Sequence, residues 1–260
     1  MPRWGGGGQG YVTNPSGISI PAVANGQTRL MVDDFPGTVL NSSIWSTPYN
    51  GTSYASQNGW YATNHTVVTP SVLNLQGYTD AAGGGIANGF VGAGLQTTAR
   101  YPIGLLVQTA FRVDVVPSNG FTPIAIMMGA ASAGNPGGWP PENDFLEGGA
   151  ANLHYTSSNA SQGFPLSGPA ASALMSGWHV WGTKWTASTI SFLVDGVVWA
   201  SAANPSAGSP TDQYGLNCNN MWVGFNWQTG DPNNPPANAG ITSANPYQMQ
   251  IDWITVDTSS

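Results

Sequence analysis

The chain has 260 residues, 41% of them hydrophobic and only 7% charged, with a formal net charge of −7. One lysine (Lys184) and four arginines leave no basic stripe to neutralise phosphates, so nucleic acid is a poor partner. No apolar run reaches the length of a membrane span, and the lone Cys218 excludes a disulfide framework and a cysteine metal site.

Residues 1–28, with four consecutive glycines and short polar pieces broken by proline, read as a flexible Gly-rich arm. This stretch lacks the basic and apolar regions of a secretory leader. The expectation is an extracellular protein, its leader removed or its export by another route, tethered through the arm to a phage or surface assembly. From Arg29 to Asp257 the texture changes to strand and turn. Runs such as "TRLMVDDF", "HTVVTPSVLNLQ", "GLLVQTAFRVDVV", "TPIAIMMGA", "TISFLVDGVVWA", "NMWVGFNWQ" and "YQMQIDWITVD" are short and rich in β-branched and aromatic residues. Gly, Pro, Asn and Ser bound them, and Asp195-Gly196 signals a hairpin. "GGGIANGFVGAGLQTT" (83–98) lacks the Lys-Ser/Thr of a phosphate loop and reads as a flexible loop. Only "PAASALMSG" (169–177) suggests a turn or two of helix. The expectation is an all-β sandwich or barrel with residues 29–260 in one domain.

The stretch "GGWPPENDFLEGG" (137–149) holds three carboxylates within six residues, and Glu142 and Glu147 are the only glutamates of the chain. In a strand, residues i and i+2 share a face, so Glu142 and Asp144 point the same way. Glu147 is an odd step further and needs one β-bulge between Asp144 and itself to rejoin them. With that bulge the outer pair comes to roughly 5–5.5 Å, the separation of a retaining glycosidase. One glutamate must then be ionised to attack and the other must carry a proton for the leaving oxygen. Crowded negative charge pushes such pKa values apart. Asp144 between them can hold a proton and hydrogen-bond to the nucleophile.

"ENDFLE" resembles the bulged E-x-D-x-x-E motif of family 16 glycoside hydrolases, the group of laminarinases, agarases, carrageenases and lichenases. The likeness covers about residues 30–257. "VDDFPGTVLNSSIW" is similar to the family's opening Asp-x-Phe-x-Gly…Trp segment, "GWHVWGTKWTASTISFLVDG" to its hairpin, and "MQIDWITVD" to its closing strand. The resemblance implies a concanavalin-like jelly roll of two curved antiparallel sheets, with the 142–147 strand central on the concave face. It implies Glu142 as nucleophile, Asp144 as assistant and Glu147 as general acid/base. Trp139 resembles the family's cleft tryptophan, and His154 a histidine bordering the site on the next strand. The chain departs from the family at Asn143, where an apolar residue is usual. No cofactor is implied for catalysis, but a structural Ca2+ is, with Asp252 as its side-chain ligand; a capping role for Asp252 stays open.

Among the eleven tryptophans, Trp139, Trp227 and Trp60 are the candidates for stacking on sugar rings, and Trp181, Trp185 and Trp253 fit strand interiors. His65, His154 and His179 lack metal-ligand spacing. The expected function is an endo-acting retaining hydrolase of a β-linked polysaccharide, with β-1,3- or mixed-linkage glucan favoured and galactan open, working as a monomer. A lectin-like attachment domain and a transglycosylase with the same three acids are the alternatives.

Overall fold

The computed structural model describes residues 14–48, 52–53, 60–80, 90–114, 121–129, 141–154, 161–165, 169–204, 220–229 and 241–259. Alternation along the chain sets its architecture. In β8 (Leu105–Val113), Leu105, Val107, Phe111 and Val113 are buried while Leu106, Gln108 and Arg112 are only half-buried. β8 is flanked by two antiparallel partners, β17 (Tyr247–Thr258) and β13 (His179–Trp185). Beyond β13 lie β14 (Thr189–Val194) and β15 (Val197–Ala203), joined by Asp195 and Gly196 at φ 51° and 77°. Two successive left-handed residues are what a two-residue hairpin needs. On the other side of β17 come β6 (Val72–Thr79) and β5 (Thr66–Thr69), while β1 (Arg29–Asp33) pairs with the far end of β17. These strands form the back sheet.

The front sheet runs β12 (Ser161–Pro165), β11 (Ala150–His154), β10 (Glu142–Glu147), β9 (Phe121–Gly129), β16 (Met221–Thr229), β7 (Phe90–Thr97). At its edge β7 takes β2 (Trp45–Ser46) antiparallel and β4 (Trp60–Tyr61) parallel, and β4 carries β3 (Thr52–Ser53). The inner faces meet in one core. Val107, Phe111, Trp181, Trp185, Phe192 and Ile254 from the back pack against Leu95, Met127, Phe145, Val223, Phe225 and Trp227 from the front. Burying an aliphatic or aromatic side chain is worth about 1.5–3 kcal/mol, so this shared interior is what holds the two sheets face to face. A short helix, α1 (Pro169–Ser176), precedes β13. The all-β, jelly-roll architecture expected from the sequence is the one observed.

Two local expectations change. The Gly-rich stretch read as a loop contains β7, because Val91, Ala93 and Leu95 alternate with Gly92 and Gly94 and all three apolar side chains are buried. Glycine at every second position hides the strand period. The neighbouring Gly224 is obligatory, since a Cβ there would sit 2.3 Å from the Leu95 carbonyl oxygen.

The arm expected to be flexible over 1–28 is, over residues 14–28, a strap held on the back sheet. A bulge in β17 between Ile251 and Trp253 places Asp252 and Trp253 outside the core, beneath this strap. Ser16 donates its backbone N–H (3.2 Å) and its hydroxyl to Asp252 Oδ2. The Trp253 indole donates to the Ile18 carbonyl at 2.8 Å, and Arg29 to that of Pro21 at 2.8 Å.

Candidate active site

Register decides which side chains share the outer face of the front sheet. Glu142 lies opposite Met128, Asp144 opposite Ile126 and Glu147 opposite Ile124. Positions 124, 126 and 128 of β9 have one parity, so the three acids project from one face. The odd step is absorbed by a bulge: the register shifts between Asp144 and Leu146 against β9, and between Asp144 and Glu147 against β11. Phe145 and Leu146 both enter the core there. Two adjacent apolar side chains on one side are the local cause of the kink, because burying both forces the chain out of strict alternation.

The three acids differ in surroundings. Asp144 is only 2% exposed, and its Oδ1 accepts no hydrogen bond from any described residue. Burial, and secondarily the charge of Glu147, hold its pKa well above the ordinary carboxylate range. Glu142 and Glu147 are half-buried. Asn152 on β11 donates from Nδ2 to Glu147 Oε2 at 2.5 Å. His154 stands opposite Glu142, with Nε2 3.6 Å from Asp144 Oδ2 and 3.9 Å from Glu142 Oε2. Beside the acids lies an apolar patch of Ile124, Ile126, Met128 and Trp222, continued along β16 by Asn226 and Gln228. A buried carboxyl that holds its proton more firmly than usual, between two half-buried ones and next to an imidazole, has the chemistry to pass a proton or to support a neighbouring carboxylate.

The inner face of the same strand carries a second polar contact. Asn143 and Thr183, both fully buried, meet across the sandwich, Nδ2 donating to Oγ1 at 3.0 Å. The departure at Asn143 is thus matched by a hydroxyl on the opposing sheet.

The aromatic candidates fare differently. Trp227 is fully buried in the main core and faces away from the acids. In "MWVGFNWQ" the apolar parity is Met221, Val223, Phe225 and Trp227, so that parity packs inward. Trp222, on the polar parity with Gly224, Asn226 and Gln228, takes the site face instead. The alternation was present in the sequence and would have identified it. Asn152 had no comparable signal, being one of many asparagines. Trp139 lies outside the described residues, and at Trp60 only the backbone is described, in β4.

Asp252 lies on the back sheet, remote from the acids. With Asp34, Ser71 and Asn14 it lines a cavity of about 90 Å³. Burial raises its pKa, and the Ser16 donors partly offset that. Ser71 is 3% exposed and its hydroxyl has no described partner. Two carboxylates and an unpartnered buried hydroxyl fit a hard cation that prefers oxygen. His65 stacks on Tyr78 at 3.8 Å between ring centres and bonds to Asp80, while His179 bonds to the hairpin Asp195 at 2.7 Å.

No curated protein is significantly similar to the chain in sequence. Solved structures share its fold. The endo-β-1,3-glucanase of Pyrococcus furiosus has a TM-score of 0.71 at 18% identity, covering 92% of this chain and 98% of its own. The endo-1,3-β-glucanase of Streptomyces sioyaensis has a TM-score of 0.69 at 20% identity, covering 93% and 100%. An immunostimulatory antigen and pseudo β-1,3-glucanase of Mycobacterium tuberculosis has a TM-score of 0.68 at 19% identity, covering 89% and 99%. The model of glycosyl hydrolases family 16 matches residues 90–255, which span the three acids and strands of both sheets. The chain belongs to glycosyl hydrolase family 16.

Proposed function

We propose that the chain is an endo-acting retaining hydrolase of a neutral β-linked glucan, of the β-1,3 or mixed-linkage type, working by double displacement. The observation that carries this reading is the bulge that sets Glu142, Asp144 and Glu147 on one face with Asp144 buried between them. In the first step Glu142 attacks the anomeric carbon while Glu147 gives its proton to the departing glycosidic oxygen. The carbon–oxygen bond breaks as the glycosyl ester to Glu142 forms. In the second step Glu147 takes a proton from water, whose oxygen displaces Glu142. Asp144, whose pKa burial raises, donates its proton to Glu142 and steadies it as its charge is consumed and restored. Asn152 orients Glu147, and Trp222 with Ile126 offers an apolar floor for a pyranose ring.

Neutrality of the substrate is supported by where the described cations sit. Arg29 pairs with Asp257 at 2.5 Å, Arg100 bonds to backbone carbonyls of residues 97–99, and Arg112 reaches Gln250 at 2.8 Å on the back face. Lys184 alternates with the inward Thr183 and Trp185 and so also faces the back. Sulfate esters are usually met by such side chains, and Arg29, Arg112 and Lys184 all belong to strands of the back sheet, away from the acids. A polymer of this kind is met outside the cell, which supports an extracellular location. No described helix is long and apolar enough to cross a membrane. A structural Ca2+, held by Asp252, Asp34 and Ser71, would tie the strap to β17 and take no part in the chemistry.

Hydrolysis of laminarin, mixed-linkage glucan, agarose and carrageenan side by side, with Glu142→Gln as blank, tests the reading. Glucan cleavage is expected; cleavage of agarose or carrageenan alone would move the substrate to a galactan. Roles are separable with azide. Glu142→Ala should be rescued to an α-configured glycosyl azide, and Glu147→Ala on an activated aryl glycoside to a β-configured one. On polymer, Glu147→Ala should lose about 10²–10⁴-fold, the usual worth of general acid–base assistance. Binding without cleavage of any of the four polymers would favour the lectin-like alternative instead.

A further inference from the structure

The outer face of β10 and β11 brings together two carboxylates and an imidazole in a way that the hydrolytic scheme does not require. We propose that Glu142, Asp144 and His154 form a site for a zinc-class divalent cation, which competes with the sugar for the cleft. The ligand atoms of the three residues all lie within 4.8 Å of one another. His154 Nε2 is 3.6 Å from Asp144 Oδ2 and 3.9 Å from Glu142 Oε2. Zinc sits about 2.0–2.2 Å from nitrogen and oxygen ligands, so the edge of a tetrahedral site is about 3.4 Å. Shifts of a few tenths of an ångström bring both pairs to that edge. Among the described residues this is the one group of three His, Cys, Asp or Glu side chains so placed.

A second observation points to a ligand independently of the spacing. Asp144 is 2% exposed, and no described residue donates to its Oδ1. Its Oδ2 faces His154 Nε2 at 3.6 Å, and a carboxylate buried with its other oxygen unserved is costly unless a proton or a cation joins it. The hydrolytic scheme fills that need with a proton; a cation fills it equally well and holds Asp144 ionised.

The donor set selects the metal. Calcium takes six to eight oxygens and magnesium demands an octahedron of them, whereas imidazole with carboxylates suits zinc, copper and cobalt. Glu142 and His154 keep side-chain exposures of 17% and 20%, so the cation is reached from the cleft and retains an open position for water. Bound there, it takes the lone pair of Glu142 that would attack carbon. Activity is silenced by occupation, with no covalent change, and a chelator restores it.

The inhibitory arm of this proposal rests on the hydrolase reading; the binding arm does not. Chelator-treated full-length protein is titrated with Co2+, followed by visible absorption, and with Zn2+, followed by calorimetry. The expected result is saturable binding of one equivalent, weakened more than about tenfold in His154→Gln and in Glu142→Gln. Even outer partners of a metal site are worth about 10–100-fold in affinity. His179→Gln, which removes an imidazole on the back-sheet hairpin, should leave the binding unchanged. In glucan hydrolysis, Zn2+ should raise the apparent KM at constant kcat, and EDTA should reverse it. Equal binding by wild type and His154→Gln, or no saturable binding, overturns the site. Binding that depends on His154 in a protein that cleaves no glycan keeps the site and removes the hydrolase reading. Normal cleavage without such binding does the reverse.

Discussion

Asp144 and Asp252 invite comparison, because the fold builds them alike and then treats them oppositely. Each sits at a β-bulge, each is 2% exposed, and burial is the leading cause of a raised pKa in both. Asp252, under the strap, receives two donors from Ser16. Asp144, in the front sheet, has an Oδ1 with no described donor and faces the charge of Glu147. The difference teaches that donors are supplied where a carboxylate only has to hold structure. They are missing at Asp144, where the proposed scheme needs the proton to stay available.

The sharpest way to break the comparison is to neutralise each aspartate in turn. Asp144→Asn should lower kcat on glucan by at least about tenfold, equivalent to about 1.4 kcal/mol of barrier, whereas Asp252→Asn should leave kcat within about twofold by the same scale. Stability should move the other way for Asp144. Its folded pKa lies above the unfolded value, so its contribution is fully present below the unfolded pKa of about 3.9 and is lost as pH rises through the folded pKa. Asp144→Asn removes that loss. Its melting temperature should match wild type near pH 3 and exceed it at pH 7 by about 2–4 °C for each kcal/mol recovered. A variant less stable than wild type at pH 7 would mean that Asp144 is held by donors after all.

A smaller effect tests the reverse face of the same strand. Thr183→Val leaves the buried Asn143 amide without its acceptor and should cost about 1–3 kcal/mol. The double variant Asn143→Leu/Thr183→Val should recover most of it, since an apolar pair suits that interior. Urea unfolding of the two single variants and the double one measures the coupling; additive losses would show that the contact contributes nothing. The smallest effect concerns the strap. Ser16→Ala removes the hydroxyl donor while keeping the backbone one, for about 0.5–1.5 kcal/mol. That loss should fade below the pKa of Asp252, where the carboxyl is protonated. Added Ca2+ should raise the melting temperature, and Asp252→Asn should abolish the rise.

The strands and the acid motif were legible because both are written in local alternation. β8 and β14 show it outright, β17 shows it on either side of its bulge, and the parity of Glu142, Asp144 and Glu147 required a bulge where one is found. What escaped was non-local or masked by small residues. β7 has glycine at alternate positions, so its period carried no polar signal. Trp227 lies near a loop, but the apolar parity of its own strand, shared with Met221, Val223 and Phe225, is what turns it into the core. Nothing near Asn143 announces Thr183, forty positions away. The strap lacks any period, and what it grips, the bulge at Asp252 and Trp253 and the Arg29 guanidinium, lies outside it in sequence.

The placement of Arg29, Arg112 and Lys184 on the back sheet reaches beyond substrate choice. Changing ionic strength from 0.01 to 1 M shortens the Debye length from about 30 to about 3 Å. A binding face that meets a neutral chain through apolar contacts and hydrogen bonds has no Coulombic attraction for added salt to screen. The KM for glucan should therefore stay level from fresh water to brine, and a face built around arginine and sulfate could not behave so.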